Sequence, residues 1–571
     1  MRYFLLGIGA TLLLTMPSFA TEGVASEQAR AEYTNPILAG GYPDPSICRD
    51  GDDFYLVNSS FEYFPGLPIH HSKDLINWQL IGYGLDRKEQ VSGAVNLVDI
   101  QSDGGIHAPT IRCHNGQFFI ITTNVYYHED TQTTDFVNFV ITADNPAGPW
   151  SEPHVLEGAP GIDPDIFFDD DGKVWYVGTH SPKDPNFDGE GEIWLQEIDT
   201  QAWKLTGERH YLWRGACGGV WVEGPHIYKH DGRYYLMVAE GGTGFNHAVM
   251  IATANNITGP YESNPRNPIL TTRHLSYSHW VHSTGHGDLV ELADGRWYMV
   301  LLGKRGDIGT ESNMGRETHL VPVIWEREPF WWKEDKILWP VVAPQSGKVD
   351  RHLPVPFVGS TQQQQQSFID KFNTRQLDLR WNFRRLPLAN ALSLDANPGF
   401  LRMHSSPKVI QERGRANLLG FRQTQSDFEY TAKLQVNLSE AHTEAGIILF
   451  QKDNNFLKMT LSGDEDNTLS LIHSAVSNES AVVDRVDTLA QTSLQQPINT
   501  ITMKVISRDQ SYQFLFALND SDTFQPLVTT PADGIISRKY TGAYLGLYIS
   551  SNGQVSEDFI DVDWVKYRVR P

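Results

Sequence analysis

A short phrase that returns five times in the first two thirds of the chain restricts the fold more than any other feature. Each copy reads as a strand, a turn containing glycine and a second, aromatic-rich strand. The first three are Asp44-Pro45-Ser46-Ile47 with Phe54-Tyr55-Leu56-Val57, Ala108-Pro109-Thr110-Ile111 with Phe118-Phe119-Ile120-Ile121, and Asp163-Pro164-Asp165-Ile166 with Val174-Trp175-Tyr176-Val177. Gly224-Pro225-His226-Ile227 with Tyr234-Tyr235-Leu236-Met237, and His286-Gly287-Asp288-Leu289 with Trp297-Tyr298-Met299-Val300, complete the set. The spacing is roughly sixty residues, which is room for one four-stranded blade per copy. Further strand signals between copies, such as Phe136–Ile141 and Glu192–Glu197, and the lack of long helical periodicity complete the pattern. Five such sheets around an axis make a propeller, which hides strand edges by radial repetition.

The repeat stops near residue 355, and a chain of 571 residues has much left over. Ser360-Thr361 and the run Gln362 to Gln366 read as a linker, placed at 356–367 between a propeller at 33–355 and a second domain at 368–571. Beyond it the pattern alternates, as in Phe428-Glu429-Tyr430-Thr431-Ala432-Lys433-Leu434. Half-buried antiparallel strands of that kind predict a β-sandwich, so the fold class is all-β.

The first twenty residues show Arg2, an apolar run from Phe4 to Leu14 and Ser18-Phe19-Ala20, the three-part pattern of a cleaved signal peptide. The run is too short for a membrane anchor, so a secreted or periplasmic protein is expected. Cys48, Cys113 and Cys217 are the only cysteines and are expected to be free and mostly buried. A formal net charge of -23, spread along the chain, disfavours nucleic acid and anionic membranes as partners. A neutral sugar polymer or oligomer suits it better.

In a propeller the innermost strands line the axis, so the residue before the shared proline faces one end of the funnel in every blade. Ala108 keeps that slot small, whereas Asp44 and Asp163 place carboxyl groups in it and His286 an imidazole; Glu223 stands one residue earlier in the fourth copy. Three converging acids cost desolvation and mutual repulsion, which a purely structural repeat would avoid. Glycoside hydrolysis needs such a set: one carboxyl protonates the leaving oxygen and another activates water or attacks the sugar.

These residues carry a resemblance to glycoside hydrolase family 43. The phrases are Tyr42-Pro43-Asp44-Pro45-Ser46, Ser60-Phe61-Glu62-Tyr63-Phe64-Pro65-Gly66, Gly105-Ile106-His107-Ala108-Pro109, Gly161-Ile162-Asp163-Pro164, Glu223-Gly224-Pro225-His226, Thr284-Gly285-His286-Gly287-Asp288 and Gly315-Arg316-Glu317-Thr318. Leu379-Arg380-Trp381-Asn382-Phe383 and Gly542-Ala543-Tyr544-Leu545-Gly546 resemble the concanavalin-like sandwich of β-xylosidase-type members. The resemblance implies an inverting mechanism with Asp44 as general base, Glu223 as general acid and Asp163 holding the acid's orientation and pKa. Inversion sets the base and acid about 6.5 to 9.5 Å apart so that a water fits between them. It further implies that Phe61 and His107 wall the sugar pocket, that Thr243 lines it and that Arg316 contacts sugar hydroxyls or the acids. His107 departs from the aromatic residue usual in its phrase, so polar contacts there bear on specificity.

A hydrated calcium ion on the axis beside His286 also follows from the resemblance, with a metal-free, hydrogen-bonded histidine as the equal alternative. Catalytic zinc is disfavoured by the lack of a second His or Cys at ligand spacing. The resulting expectation is an exo-acting β-xylosidase acting on xylo-oligosaccharides, with α-L-arabinofuranosidase or dual activity as the nearest alternative and a non-catalytic sugar-binding propeller as the other class. The sandwich is expected to act as a buttress whose edge covers the propeller mouth, with Tyr544 there. A homo-oligomer is left open by the sequence.

Overall fold

In a computed structural model, residues 31–307, 311–364, 367–478, 481–537 and 540–570 are described. The leader expected over residues 1–20 lies outside them, as do Gln365 and Gln366. Five antiparallel sheets occupy the N-terminal part, each following the chain from the axis outwards. Their innermost strands are Ser46–Asp50 (blade 1), Gly105–His114 (blade 2), Ile162–Phe168 (blade 3), Glu223–His230 (blade 4) and Val281–Glu291 (blade 5). Each touches the next, and blade 5 returns to blade 1.

Period-two alternation explains why the blades stack. A strand points successive side chains to opposite faces, so a continuously apolar strand serves two neighbours at once. In blade 2, Phe118 and Ile120 pack with blade 1, while Phe119 and Ile121 pack with blade 3. Leu236 and Val238 of blade 4 face blade 3, whereas Tyr235 and Met237 face blade 5. Ring closure falls to the N-terminus: Glu32–Thr34 pairs with His352–Pro354, and the Asn35 side chain bonds the main chain of Leu320 in both directions at 2.9 Å.

Inside every blade the slot residue has left-handed backbone: φ is 49° at Asp44, 38° at Ala108, 55° at Asp163, 57° at Gly224 and 48° at His286. In blades 2 to 5 the pairing register slips at the same place. A bulge of this type turns the side chain out of the ladder and aims it along the axis. Five repeats of one left-handed slot therefore present two aspartates, an alanine, a glycine and a histidine at one mouth.

The C-terminal part is a sandwich of two sheets. Phe428, Tyr430, Ala432 and Leu434 are wholly buried on one face of Phe428–Asn437, as their alternation predicts, and meet Ile447, Leu449 and Leu547 of the facing sheet. That facing sheet ends in a strand from the propeller: Asn382–Arg384 pairs with Tyr63–Phe64 of blade 1. The glutamine segment is strapped down, because the Gln362 side chain bonds both the N–H (2.7 Å) and the carbonyl (3.0 Å) of Thr34.

Two expectations are corrected. Cys48 and Cys113 form a disulfide, with Cα atoms 5.8 Å apart, while Cys217 is free and exposed. Their separation of 65 residues is about one repeat, which sets them side by side on the innermost strands of blades 1 and 2. Tyr544 does not cover the mouth. It is buried in the interface between propeller and sandwich, stacked on Tyr63 with ring centroids 3.8 Å apart.

Candidate active site

The left-handed slots bring Asp44, Asp163 and His286 to the same end of the axis, with Glu223 one residue before the slot glycine of blade 4. Asp44 is 4% and Asp163 5% exposed. Arg316, from the third strand of blade 5, holds Asp44 through both terminal guanidinium nitrogens at 2.7 and 3.3 Å. Ser59 donates to the other side of the same carboxylate at 2.6 Å and accepts from the Ala108 N–H at 2.7 Å. Burial by itself would raise the Asp44 pKa; Arg316, His286 and the Ser59 hydroxyl outweigh it and hold the group below the usual carboxylate range.

Glu223 behaves in the opposite way. Burial and the Asp44 charge push it up to about 7, against the pull of Arg316. Asp163 is also raised, by burial and then by Glu223 and Asp44. Two buried carboxyl groups that repel each other titrate as a pair and keep a proton at neutral pH. The Gly224 N–H bonds Asp163, which favours charge on Asp163 and so the proton on Glu223.

Around these acids stands a wall of rings. Phe61 meets His107 edge to face at 4.9 Å and lies nearly parallel to Tyr540, with centroids 6.1 Å apart. Arg316 sits over Tyr540 at 5.1 Å and over Phe61 at 5.8 Å. The His107 Nε2 is 3.0 Å from the Asp103 carbonyl, and Thr243 Oγ1 accepts from Arg316 at 3.5 Å. All the predicted pocket residues are thus in one constellation. Sequence reasoning missed Tyr540 and Ser59. Tyr540 lies four residues before Tyr544 and in the loop ahead of its strand, where alternation gives no direction for a side chain.

His286 packs its ring on Gly224, where an added Cβ would lie 2.9 to 3.1 Å from three ring atoms. Burial pushes its pKa down to about 4. The carboxylates next along the axis, Asp165 and Asp288, both bind Arg112, at 2.8 and 2.9 Å, and Asp288 also accepts from Ser46 and Tyr228 at 2.6 Å. Among the described residues no cluster of three metal-binding side chains forms. Calcium takes six or more oxygen ligands; with the axial carboxylates bound to guanidinium groups, a hydrated ion beside His286 would draw its oxygens mainly from water.

Comparison with known proteins follows the same lines. The model of glycosyl hydrolases family 43 matches residues 33–330, and that of the β-xylosidase C-terminal concanavalin A-like domain matches residues 369–568. A xylosidase/arabinosidase of Butyrivibrio fibrisolvens is 38% identical over 93% of this chain and 98% of its own length. A non-reducing end α-L-arabinofuranosidase of Bacteroides ovatus is 35% identical over 95% of both chains. The crystal structure of a xylan β-1,4-xylosidase from Bacillus halodurans superposes with a TM-score of 0.84, at 29% identity, over 94% of this chain and 100% of the other.

Proposed function

We propose, from the premise that this chain belongs to glycosyl hydrolases family 43 and is a glycoside hydrolase, that it removes single pentose units from the non-reducing end of oligosaccharides with inversion at the anomeric carbon. The carrying observation is the opposed protonation of two acids at one mouth: Asp44 is held ionised by Arg316 and Ser59, and Glu223 is held protonated near pH 7.

In this reading a water beside Asp44 attacks the anomeric carbon and gives its proton to the Asp44 carboxylate. The bond from that carbon to the leaving oxygen breaks as Glu223 protonates the oxygen. Asp163 keeps the proton on Glu223 until that moment. The sugar would lie against Phe61, His107 and Tyr540, with Arg316 and Thr243 at its hydroxyls. Because Tyr540 comes from the sandwich and closes one side, a chain end enters more readily than a chain middle, which supports exo action.

The preferred substrate is a β-linked xylo-oligosaccharide. An α-L-arabinofuranoside is the alternative, in keeping with the names of both relatives. Export is part of the proposal, and the Cys48–Cys113 disulfide supports it, since such bonds persist in oxidising compartments. Release of 4-nitrophenol from the β-xyloside and the α-L-arabinofuranoside decides the preference. Proton NMR of the first-formed sugar anomer tests inversion. Absence of release from both glycosides would leave only sugar binding.

A further inference from the structure

Between blades 3 and 4 the rim of the mouth carries a tryptophan that the reaction above does not use. Trp221 stands two residues before Glu223, and 48% of it is exposed. Its backbone is left-handed, with φ at 49°, a conformation bulky residues avoid unless surrounding contacts impose it. Such a strained residue at a mouth calls for a reason.

The surroundings are built to fix the indole. Its six-membered ring lies against Gly189, where an added Cβ would be 2.2 Å from Cε2, and its pyrrole edge lies 3.5 Å from the Cβ position of Gly242. The Trp221 main-chain N–H donates to the Gly189 carbonyl at 2.8 Å. The preceding loop is pinned by a buried carboxylate: Glu240 accepts from the N–H groups of Ala216, at 2.8 Å, and Cys217, at 3.1 Å. Arg214 ties the same loop to Glu190 and Glu192 of the neighbouring connection, at 3.3 and 2.9 Å. Core packing does not require this expenditure on a half-exposed ring.

Position then defines the use. Arg316 binds Asp44, and Phe61, His107 and Tyr540 form the ring wall beside it, where the cleaved sugar would lie. The proton donor must face the glycosidic oxygen, so the leaving sugar passes Glu223, and Trp221 stands two residues from that acid at the same rim. Two residues of chain span at most about 7 Å, which keeps the indole within about one sugar ring of the bond that breaks. A flat, rigid, half-exposed aromatic with a polar N–H suits the face of a pyranose.

We infer that Trp221 is the stacking platform for the leaving-group sugar and sets the preference for oligosaccharides over simple glycosides, with Glu240 as the positioning residue that holds its loop. The inference rests on the hydrolase reading proposed above. Its test compares kcat/KM for a disaccharide, xylobiose or the arabinofuranosyl equivalent, with that for the corresponding methyl glycoside, whose leaving group has no ring. In Trp221→Ala the ratio of disaccharide to methyl glycoside is expected to fall about tenfold, the worth of one good aromatic contact. Trp221→Phe should restore most of it. Because the ratio is taken within one protein preparation, a loss of folded enzyme cancels. An unchanged ratio in an active Trp221→Ala enzyme overturns the platform while leaving the hydrolase reading intact. A parent enzyme inactive on both substrates overturns both.

Discussion

At the scale of single residues, the site separates two chemically similar carboxyl groups by environment. Asp44 has a guanidinium and a hydroxyl to stabilise its charge; Glu223 has burial and a nearby negative charge to oppose it. Activity that needs Asp44 ionised and Glu223 protonated rises as pH climbs through the low Asp44 pKa and falls as it passes about 7. A pH profile of kcat/KM should therefore be bell-shaped with its alkaline limb near pH 7. Asp163→Asn removes a neighbouring negative charge, so that limb should move to lower pH by roughly one unit. A limb that stays in place would remove Asp163 from control of the acid. Glu223→Gln cannot give up a proton: kcat on substrates with poor leaving groups should drop by about 10²- to 10⁴-fold, and the alkaline limb should vanish.

Among the elements, the segment that follows Tyr540 is packed directly on the propeller. Gly542 sits where Gly41, Met314 and Gly315 converge, and an added Cβ would stand 2.3 Å from the Met314 carbonyl oxygen. Main-chain bonds fasten the loop on both sides, from Ala543 N–H to Asn313 at 2.7 Å and from Ser537 N–H to Ser312 at 3.2 Å. Gly542→Ala must push the loop away from the propeller. Overpacking of this kind costs about 1–3 kcal/mol, so a thermal melt should show a lower Tm. Displacement of Tyr540 from Phe61 should also raise KM in steady-state assays. A variant with parental KM would show that the ring wall does not depend on this contact.

For the whole molecule, propeller and sandwich share one continuous structure. Tyr63–Phe64 extends a sandwich sheet, and Arg385 bonds the carbonyls of Ile100, at 2.5 Å, and Gly414, at 2.8 Å. Arg422 reaches the Gly41 carbonyl at 2.9 Å beside the stacked Tyr63 and Tyr544. A chain ending at residue 367 would expose Tyr63 and Phe64, lose a sheet partner and lack Tyr540. Such a truncation is expected to be largely insoluble, or soluble with kcat/KM reduced at least about a hundredfold, a loss typical of a misplaced substrate. A soluble propeller with parental activity would make the sandwich dispensable.

The amino-acid sequence determined what repetition and alternation can express. Five glycine turns flanked by apolar strands require five blades, because strands apolar on both faces need sheets on both sides, and the differing slot residues mark the mouth. Asp44, Asp163, Glu223 and His286 were legible for that reason, and Phe61, His107, Thr243 and Arg316 through the family's phrases. Tertiary structure decided what depends on neighbours distant along the chain. Cys48 and Cys113 pair because two blades set their innermost strands side by side, which an odd cysteine count concealed. Tyr540 rather than Tyr544 reaches the pocket because the turn before the strand, and not the strand's alternation, meets the propeller. The charge state of each acid was likewise fixed only on folding, since burial and the placement of Arg316 act through space and leave no period in the sequence.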